Sequence, residues 1–346
     1  MKLFHLRHVD WVESQLIYHA QPRVNVEGIN ILAPSSPYVC IGYHQNLEQE
    51  VDLDYCKNNN IPVFRREVGG GAVFLDGNQI FYQIVIHKDH QLASGDKTAF
   101  YQRMLQPVAD TYQELGIPAN YRPVNDVITL EGRKIAGTGA AEIGDYIILV
   151  GNLIADFDYK TMVRVLRVPD EKYRDKVFKS MTENLTTIKR EIGHIPTWDE
   201  MAEPLIRHFE QILGPLEPAE LPQKVYNQME ILKPEFESDT WLFMKRRAGD
   251  ERKVKVATDV NIIQRAHKAP GGLMRAVYEL KENKISNLSF SGDFYCYPRK
   301  AITDLESRLD GADLPDIGAL IANFYKNTDF EIPGIAPADW VKVLNG

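Results

Sequence analysis

The chain has only three cysteines in 346 residues, Cys40, Cys56 and Cys296, too few and too scattered for a disulfide framework or a thiolate zinc site. That usage fits a reducing compartment, and a cytoplasmic location is expected. Long apolar runs are missing as well: nowhere do about 18 consecutive apolar residues occur. Charges interrupt the opening MKLFHLRHVDWVESQL before a secretory apolar core could form, so neither a membrane span nor a secretion signal is expected. Positive charge is not in excess. Forty Lys and Arg against 48 Asp and Glu leave a net charge of −8, which argues against nucleic acid or an anionic membrane as partner. Any anionic ligand must therefore be held by a local cluster.

What is present is ordinary globular composition, 44% hydrophobic and 25% charged, at a length that suggests about two domains. Over the first two-thirds, short apolar runs alternate with helical patterns, which predicts an α+β catalytic domain on a mixed sheet. Strands are expected at Tyr38–Gly42, Pro62–Arg65, Ala72–Leu75, Ile80–Ile86 and Tyr146–Ile154, with a hairpin formed by Asp126–Leu130 and Arg133–Gly137. Helices are expected from Asp10, over Leu53–Asn58, over Phe100–Leu115, and over Asp199–Leu213 with Thr197 as cap. The pattern breaks into a polar stretch at Lys233–Asp239, soon followed by the basic run Lys245-Arg246-Arg247. Residues 1–234 are therefore expected to form the first domain, 235–248 a linker, and 249–346 a small α+β domain. Within that domain, strands are expected at Lys253–Ala257, Leu273–Leu280 and Lys284–Ser289, and helices at Lys300–Leu309 and Asp316–Asn327.

Two stretches could carry chemistry. In Arg65-Arg66-Glu67-Val68-Gly69-Gly70-Gly71-Ala72-Val73-Phe74, three successive residues lack a Cβ beside a basic pair. An anion could reach the backbone N–H groups there while Arg66 supplies charge; a glycine bulge or close strand contact is the other reading. It is neither a Walker loop nor a dinucleotide fingerprint. In Asn125-Asp126 and Gly132-Arg133-Lys134-Ile135-Ala136-Gly137-Thr138-Gly139, Lys134 could aim its ammonium into a cleft, or be a solvated hairpin lysine. His87-Lys88-Asp89-His90 has no third metal ligand nearby and reads as a turn.

In this order the two stretches resemble the lipoate-protein ligase family. Val39-Cys40-Ile41-Gly42-Tyr43-His44-Gln45-Asn46 is similar to its strand and Gly-x-x-Gln-Asn turn, and Arg65–Phe74 to its Arg-Arg-x-x-Gly-Gly-Gly-Ala-Val-Phe signature. Ala269-Pro270-Gly271-Gly272-Leu273 and Ser291-Gly292-Asp293-Phe294-Tyr295 are similar to the accessory domain of the longer ligases. The resemblance implies the biotin/lipoate ligase fold and an ATP-dependent reaction, with Mg²⁺ on the phosphates. Lipoate or octanoate would become an acyl-adenylate and then pass to a lysine of a lipoyl-carrier protein. It assigns Lys134 and Asp126 to catalysis, and Arg66, Gly69, Gly70, Gly71, Ala72, Val73, Phe74, Asn125, Lys134, Gly137 and Thr138 to nucleotide and lipoate binding; metal ligands are not identified. It also implies that the C-terminal part closes over the nucleotide.

The chain departs from the family's pattern at Thr182 and Asn184, where arginines are common. Charge would then come from Lys176, Lys179, Lys189 or Arg190, of which Lys179 is closest to the segment. Two alternatives are an ATP-independent octanoyl or lipoyl acyltransferase working through a cysteine, and a non-catalytic lipoyl-binding protein. The first needs an accessible thiol near Lys134, whereas Cys40 falls in an expected buried strand.

Overall fold

The computed structural model describes residues 1–245 and 261–345. The chain opens with β1 (Lys2–Val9), α1 (Glu13–Arg23), β2 (Gly28–Pro34), β3 (Tyr38–Ile41), α2 (Leu47–Glu50), α3 (Leu53–Asn58), β4 (Val63–Arg65) and β5 (Val73–Leu75). It continues through β6 (Gln79–His87), α4 (Lys97–Glu114), β7 (Ala119–Arg122), β8 (Asp126–Thr129), β9 (Lys134–Ala136), β10 (Thr138–Ile143) and β11 (Tyr146–Ile154). Then follow α5 (Tyr159–Val165), α6 (Glu171–Asn184), α7 (Ile188–Ile192), α8 (Trp198–Leu213), β12 (Glu217–Pro218), α9 (Gln223–Phe236) and α10 (Asp239–Leu242). The last part holds β13 (Asn261–Ala269), β14 (Gly272–Lys281), β15 (Lys284–Gly292), α11 (Ala301–Leu309), α12 (Ile317–Asn327) and α13 (Pro337–Asn345). The class is α+β, as the sequence predicts.

A six-stranded sheet in the order β10-β11-β6-β2-β1-β12 is the floor of the first part. It is mixed: β1 runs parallel to β2 and β12, while β2, β6, β11 and β10 pair antiparallel in turn. β6 and β2 are buried at almost every position, which explains their near-continuous apolar sequence. One face is covered by α4 and α8, whose Tyr101, Met104, Leu105, Leu205 and Phe209 join the sheet in the largest apolar cluster. α8 starts at Thr197 with a complete capping box, in which Thr197 N–H donates to the Glu200 carboxylate at 2.7 Å. Small sheets β4-β3-β5 and β7-β8-β9 flank the floor.

The opposite face carries α1 and α9. α1 is buried along nine residues, among them Ser14, Gln15, His19 and Gln21. Most of its polar groups are bonded there: Gln15 Nε2 donates to Tyr38 Oη of β3 at 2.6 Å, and Tyr18 Oη donates to Gln15 Oε1 at 2.7 Å. Residues of the expected linker pack on this layer. Phe236 ends α9 inside the core formed by Leu16, Phe64 and Val225, and Trp241 Nε1 donates to Arg65 O at 2.8 Å. The polar run from 233 is thus the last turn of a helix that buries Phe236, and the first core extends through α10.

In the last part, β13-β14-β15 form an antiparallel sheet against α11, α12 and α13, around Phe290, Leu305, Ile321 and the fully buried Trp340. The expected strand at 253–257 lies outside the described residues, as do Arg246 and Arg247; Lys245 is ion-paired to Glu306 at 3.1 Å. Among the described residues no helix is long and apolar enough to cross a membrane.

Candidate active site around Lys134

Two cavities meet at Lys134, which lines both. β9 carries this lysine, and its Nζ lies 2.7 Å from Asp126 Oδ1 on the neighbouring β8. Asp126 also accepts from Arg122 at 2.9 Å. Burial alone would raise the Asp126 carboxyl, but Lys134 and Arg122 hold it below its usual range. The Lys134 side chain is 36% exposed, so its ammonium is neither sunk in the core nor free in solvent.

The first cavity sits on the sheet floor, with Gly137, Thr138 and Asn125 near Lys134, and Gln83, Val150 and Gly139 across one row of the sheet. Gln15 and Tyr18 of α1 and Cys40 of β3 close its other side. Asn152 Oδ1 accepts from Gly137 N at 2.9 Å, fixing the strand just beyond the lysine. Gly71, Val73 and Arg66 also line this cavity, while Phe74 is buried in a separate apolar cluster and Ala72 packs against that cluster.

The basic pair is used differently from an open anion cradle. Arg65 is fully buried and donates to the carbonyls of Gly42, Tyr43, Gln45 and Leu242. Arg66 donates to the carbonyls of Cys40, Gly69 and Gly71 at 3.1, 2.7 and 2.9 Å. Both guanidinium groups hold the glycine loop and the turn at 42–46 in shape. The glycines themselves are covered: Gly70 N donates to Phe294 O at 3.3 Å, and a Cβ on Gly69 would meet Phe294 O at 2.6 Å. The close-contact reading of the glycines therefore accounts for Gly69 and Gly70. The partner is the C-terminal part, which meets this cavity through Tyr295.

The second cavity lies under α6 and is lined by Arg122, Lys134, Tyr173, Lys176, Ser180, Met181 and Asn184 among others. α6 has no buried residue, and Tyr173 is 50% exposed. It is tied to the lysine strand at its end, where Thr186 N donates to Lys134 O at 2.8 Å. Of the four cations considered for this segment, Lys176 reaches the cavity. Lys179 points to Glu183 at 4.0 Å, Lys189 pairs with Asp156 at 2.7 Å, and Arg190 donates to carbonyls of Thr182 and Leu185. Asn184 lines the cavity, whereas Thr182 Oγ1 bonds back to the helix carbonyls of Phe178 and Lys179. Gln15, Tyr18, Asn152, Tyr173 and Tyr295 carry no spacing signal that marks them as lining residues.

The sequence from residue 13 to 210 matches the lipoyl protein ligase A/B catalytic domain. Lipoate-protein ligase A subunit 1 of Thermoplasma acidophilum is 33% identical over 51% of this chain and 68% of its own length. Lipoate-protein ligase LplJ of Bacillus subtilis is 24% identical over 82% of this chain and 80% of its own. Octanoyltransferase LipM of Geobacillus kaustophilus is 24% identical over 67% and 92%. Among solved structures, the bi-partite archaeal lipoate protein ligase of Thermoplasma acidophilum superposes with a TM-score of 0.63 at 28% identity, covering 74% of this chain and 98% of that one. A lipoate-protein ligase A bound with ATP superposes with a TM-score of 0.59 at 24% identity, covering 70% and 98%. The chain belongs to the lipoyl protein ligase A/B family, whose members include both lipoate ligases and octanoyltransferases.

Proposed function

We propose that the protein is an ATP-dependent lipoate-protein ligase that activates lipoate or octanoate as an acyl-adenylate and transfers the acyl group to a lysine of a lipoyl-carrier domain. The observation that carries this reading is the position of Lys134 between two cavities. In the first step a carboxylate oxygen attacks the α-phosphorus and pyrophosphate leaves. Two anions must approach, and an ammonium between them reduces their repulsion and holds them in line. The acid would occupy the cavity of Gly137, Thr138 and Asn125, and the nucleotide the cationic cavity under α6. In the second step the acceptor amine attacks the acyl carbonyl and AMP leaves, with Lys134 stabilising charge on both. Asp126 acts as a positioning residue that holds the Lys134 ammonium at the junction.

Arg66, Gly71 and Val73 belong in this proposal to the acid cavity. Asp126 is committed to Lys134 and Arg122, so the residues at the junction do not fit a metal site; Mg²⁺ would come on the ATP phosphates, and no step here runs through it. The three free, buried thiols support a cytoplasmic location. Catalysis is assigned to residues 1–245 and an accessory role to 261–345.

The test is pyrophosphate release with ATP and lipoate, followed by intact-mass analysis of a lipoyl-carrier domain. Acylation that needs ATP supports the ligase; a carrier domain left unmodified with ATP, Mg²⁺ and either acid present refutes it. One observation favours a second reading, acyl transfer through a cysteine: Cys40 lines the same cavity as Lys134. Burial pushes the Cys40 thiol up, against the pull of Arg66, which disfavours the thiolate such chemistry needs. Replacing Cys40, Cys56 and Cys296 by Ser or Ala should leave ATP-dependent ligation largely intact. Trapping an acyl-Cys40 adduct would instead establish the transferase.

A further inference from the structure

Among the described residues lining the acid cavity, Tyr295 alone comes from beyond residue 152. It follows β15, in the segment that crosses from the C-terminal part onto the glycine loop. That segment is seated by backbone bonds: Gly292 N donates to His44 O at 3.0 Å and Gly70 N to Phe294 O at 3.3 Å. Phe294 stacks on the buried His44 ring, with centroids 4.9 Å apart. Tyr295 Oη then donates to Thr138 O at 3.0 Å and accepts from Asn125 Nδ2 at 3.1 Å, two residues of the same cavity. The ring fits because glycines leave room for it. A Cβ on Gly70 would lie 2.5 Å from Tyr295 Oη, and one on Gly139 would lie 3.3 Å from the ring.

We propose that Tyr295 is a specificity-determining wall of the acid cavity, supplied by the C-terminal part, so that the cavity grips a medium-length acyl chain only while that part is docked. The inference rests on the reading of this cavity as the acid site. A ring anchored through its hydroxyl cannot swing away, and an acyl chain lying against it keeps dispersion contacts that a gap of even an ångström would forfeit. Docking is held outside the cavity by Arg299 on the buried Glu67 carboxylate at 2.5 Å and by Arg275 on Glu50. Coupling of this kind is reciprocal: an acid that binds better to the docked arrangement must also strengthen docking.

Calorimetric binding of octanoate, lipoate and a series of longer and shorter straight-chain acids, with ATP titrated separately, tests this on the full chain. Tyr295→Ala should weaken octanoate binding by about tenfold and shift the preferred chain length upward, with ATP affinity unchanged within about twofold. Tyr295→Phe keeps the ring but loses the hydroxyl bonds to Thr138 and Asn125, so it should weaken octanoate binding less than Tyr295→Ala. Tyr295→Leu, apolar but shorter than the ring, should lose affinity in the same direction as Tyr295→Ala. Arg299→Ala, outside the cavity, should weaken acid binding in the same direction but less. Wild-type acid affinities and chain-length order in both Tyr295→Ala and Tyr295→Leu overturn the role of Tyr295, as would an equal loss of ATP binding. A wild-type protein that binds ATP but no acid overturns the reading of the cavity itself.

Discussion

The two cavities on either side of Lys134 are built in opposite ways. The side proposed for the acid stands on the central sheet, and its polar lining is fixed by internal bonds, such as Gln83 Nε2 to Ser14 O at 2.6 Å and Asn152 Nδ2 to Gln79 Oε1 at 2.6 Å. The α6 side is roofed by a helix that buries none of its residues. Its 14 residues present only a half-buried side, through Met181, and so draw less stability from packing than the helices on the floor. On the proposed reading, the contrast makes the acid cavity largely preformed and leaves the cavity under α6 to gain contacts from its ligand. The acid should bind with little rearrangement, and the nucleotide should draw α6 toward Lys134.

The largest effect is expected where the two sides share a residue. Lys134→Ala should lower acyl-adenylate formation by about 10²–10³-fold, because among the described residues no other ammonium lines both cavities to shield the approaching anions. Lys134→Arg should restore only part of this, since a planar guanidinium does not replace a point charge. Pyrophosphate release by folded variants measures it. Near wild-type rates for Lys134→Ala would remove the junction from the mechanism.

The next effect should fall on the acid side alone. Gly70 has φ +88°, and a Cβ there would displace the Tyr295 hydroxyl. Gly70→Ala should cost about 1–3 kcal/mol of stability from strain and overpacking, and weaken octanoate binding while sparing ATP. A melting curve and the two titrations check this; if ATP binding falls as far as octanoate binding, the two sides are not separable.

Of the floor, β6 and β11 were legible because long apolar strands state themselves, whereas β1, β2, β10 and β12 were not expected. Tyr146–Ile154 and Leu53–Asn58 occur with the expected bounds, and Thr197 caps α8. α1 was legible as a helix near Asp10 but begins at Glu13 without a side-chain cap. Its extent was not legible, since its buried face carries Ser14, Gln15, His19 and Gln21, residues whose burial depends on partners distant in sequence. The same holds for the boundary, where a polar stretch conceals the buried Phe236. In the site, Lys134, Asn125, Gly137 and Thr138 do come together as the motifs suggest. Arg66 illustrates the limit: sequence shows a cation beside glycines, and only the fold shows that carbonyls already occupy it. Tyr295 was visible as part of a C-terminal motif, but its place beside Thr138 is a tertiary fact.

A smaller effect should mark the α6 side. Lys176→Ala should weaken ATP binding by about three- to tenfold, the loss of one partly solvated charge, and leave octanoate binding unchanged. Lys179→Ala should change neither, because Lys179 faces Glu183 away from the cavity. Titrations of both variants sharpen the comparison; a larger effect at Lys179 would show that α6 turns when nucleotide binds.

The smallest effect concerns pH and should strike the seam beneath the acid side. His19 is fully buried in α1, with Nδ1 2.7 Å from Gln15 O and Nε2 accepting from Glu67 N at 3.1 Å, so the neutral ring satisfies both nitrogens. Burial pushes it down to about 4 despite the nearby Glu67. Burial opposes ionisation of Glu67, but His19 and the guanidinium groups of Arg23 and Arg299 hold it down to about 2. Both folded values lie below the ordinary ones, so both groups contribute stability that is complete at neutral pH and is lost as pH falls. For His19 the loss starts near the ordinary value of 6.5 and ends near 4; for Glu67 it runs from about 4.5 to about 2. Between pH 7 and pH 5.5 Glu67 lies outside its window while His19 lies inside it, and linkage gives a loss of about 1 kcal/mol from His19. Beside it stands the loss from the buried His44, whose ring is also held well below its ordinary value by burial. Asp126, on the junction, is also held below its usual range and stays ionised throughout this interval. The melting temperature should therefore fall between pH 7 and pH 5.5 in the wild type and fall less in His19→Gln, which has no ring to protonate. An equal fall in both would show that the acid sensitivity arises elsewhere than at this seam.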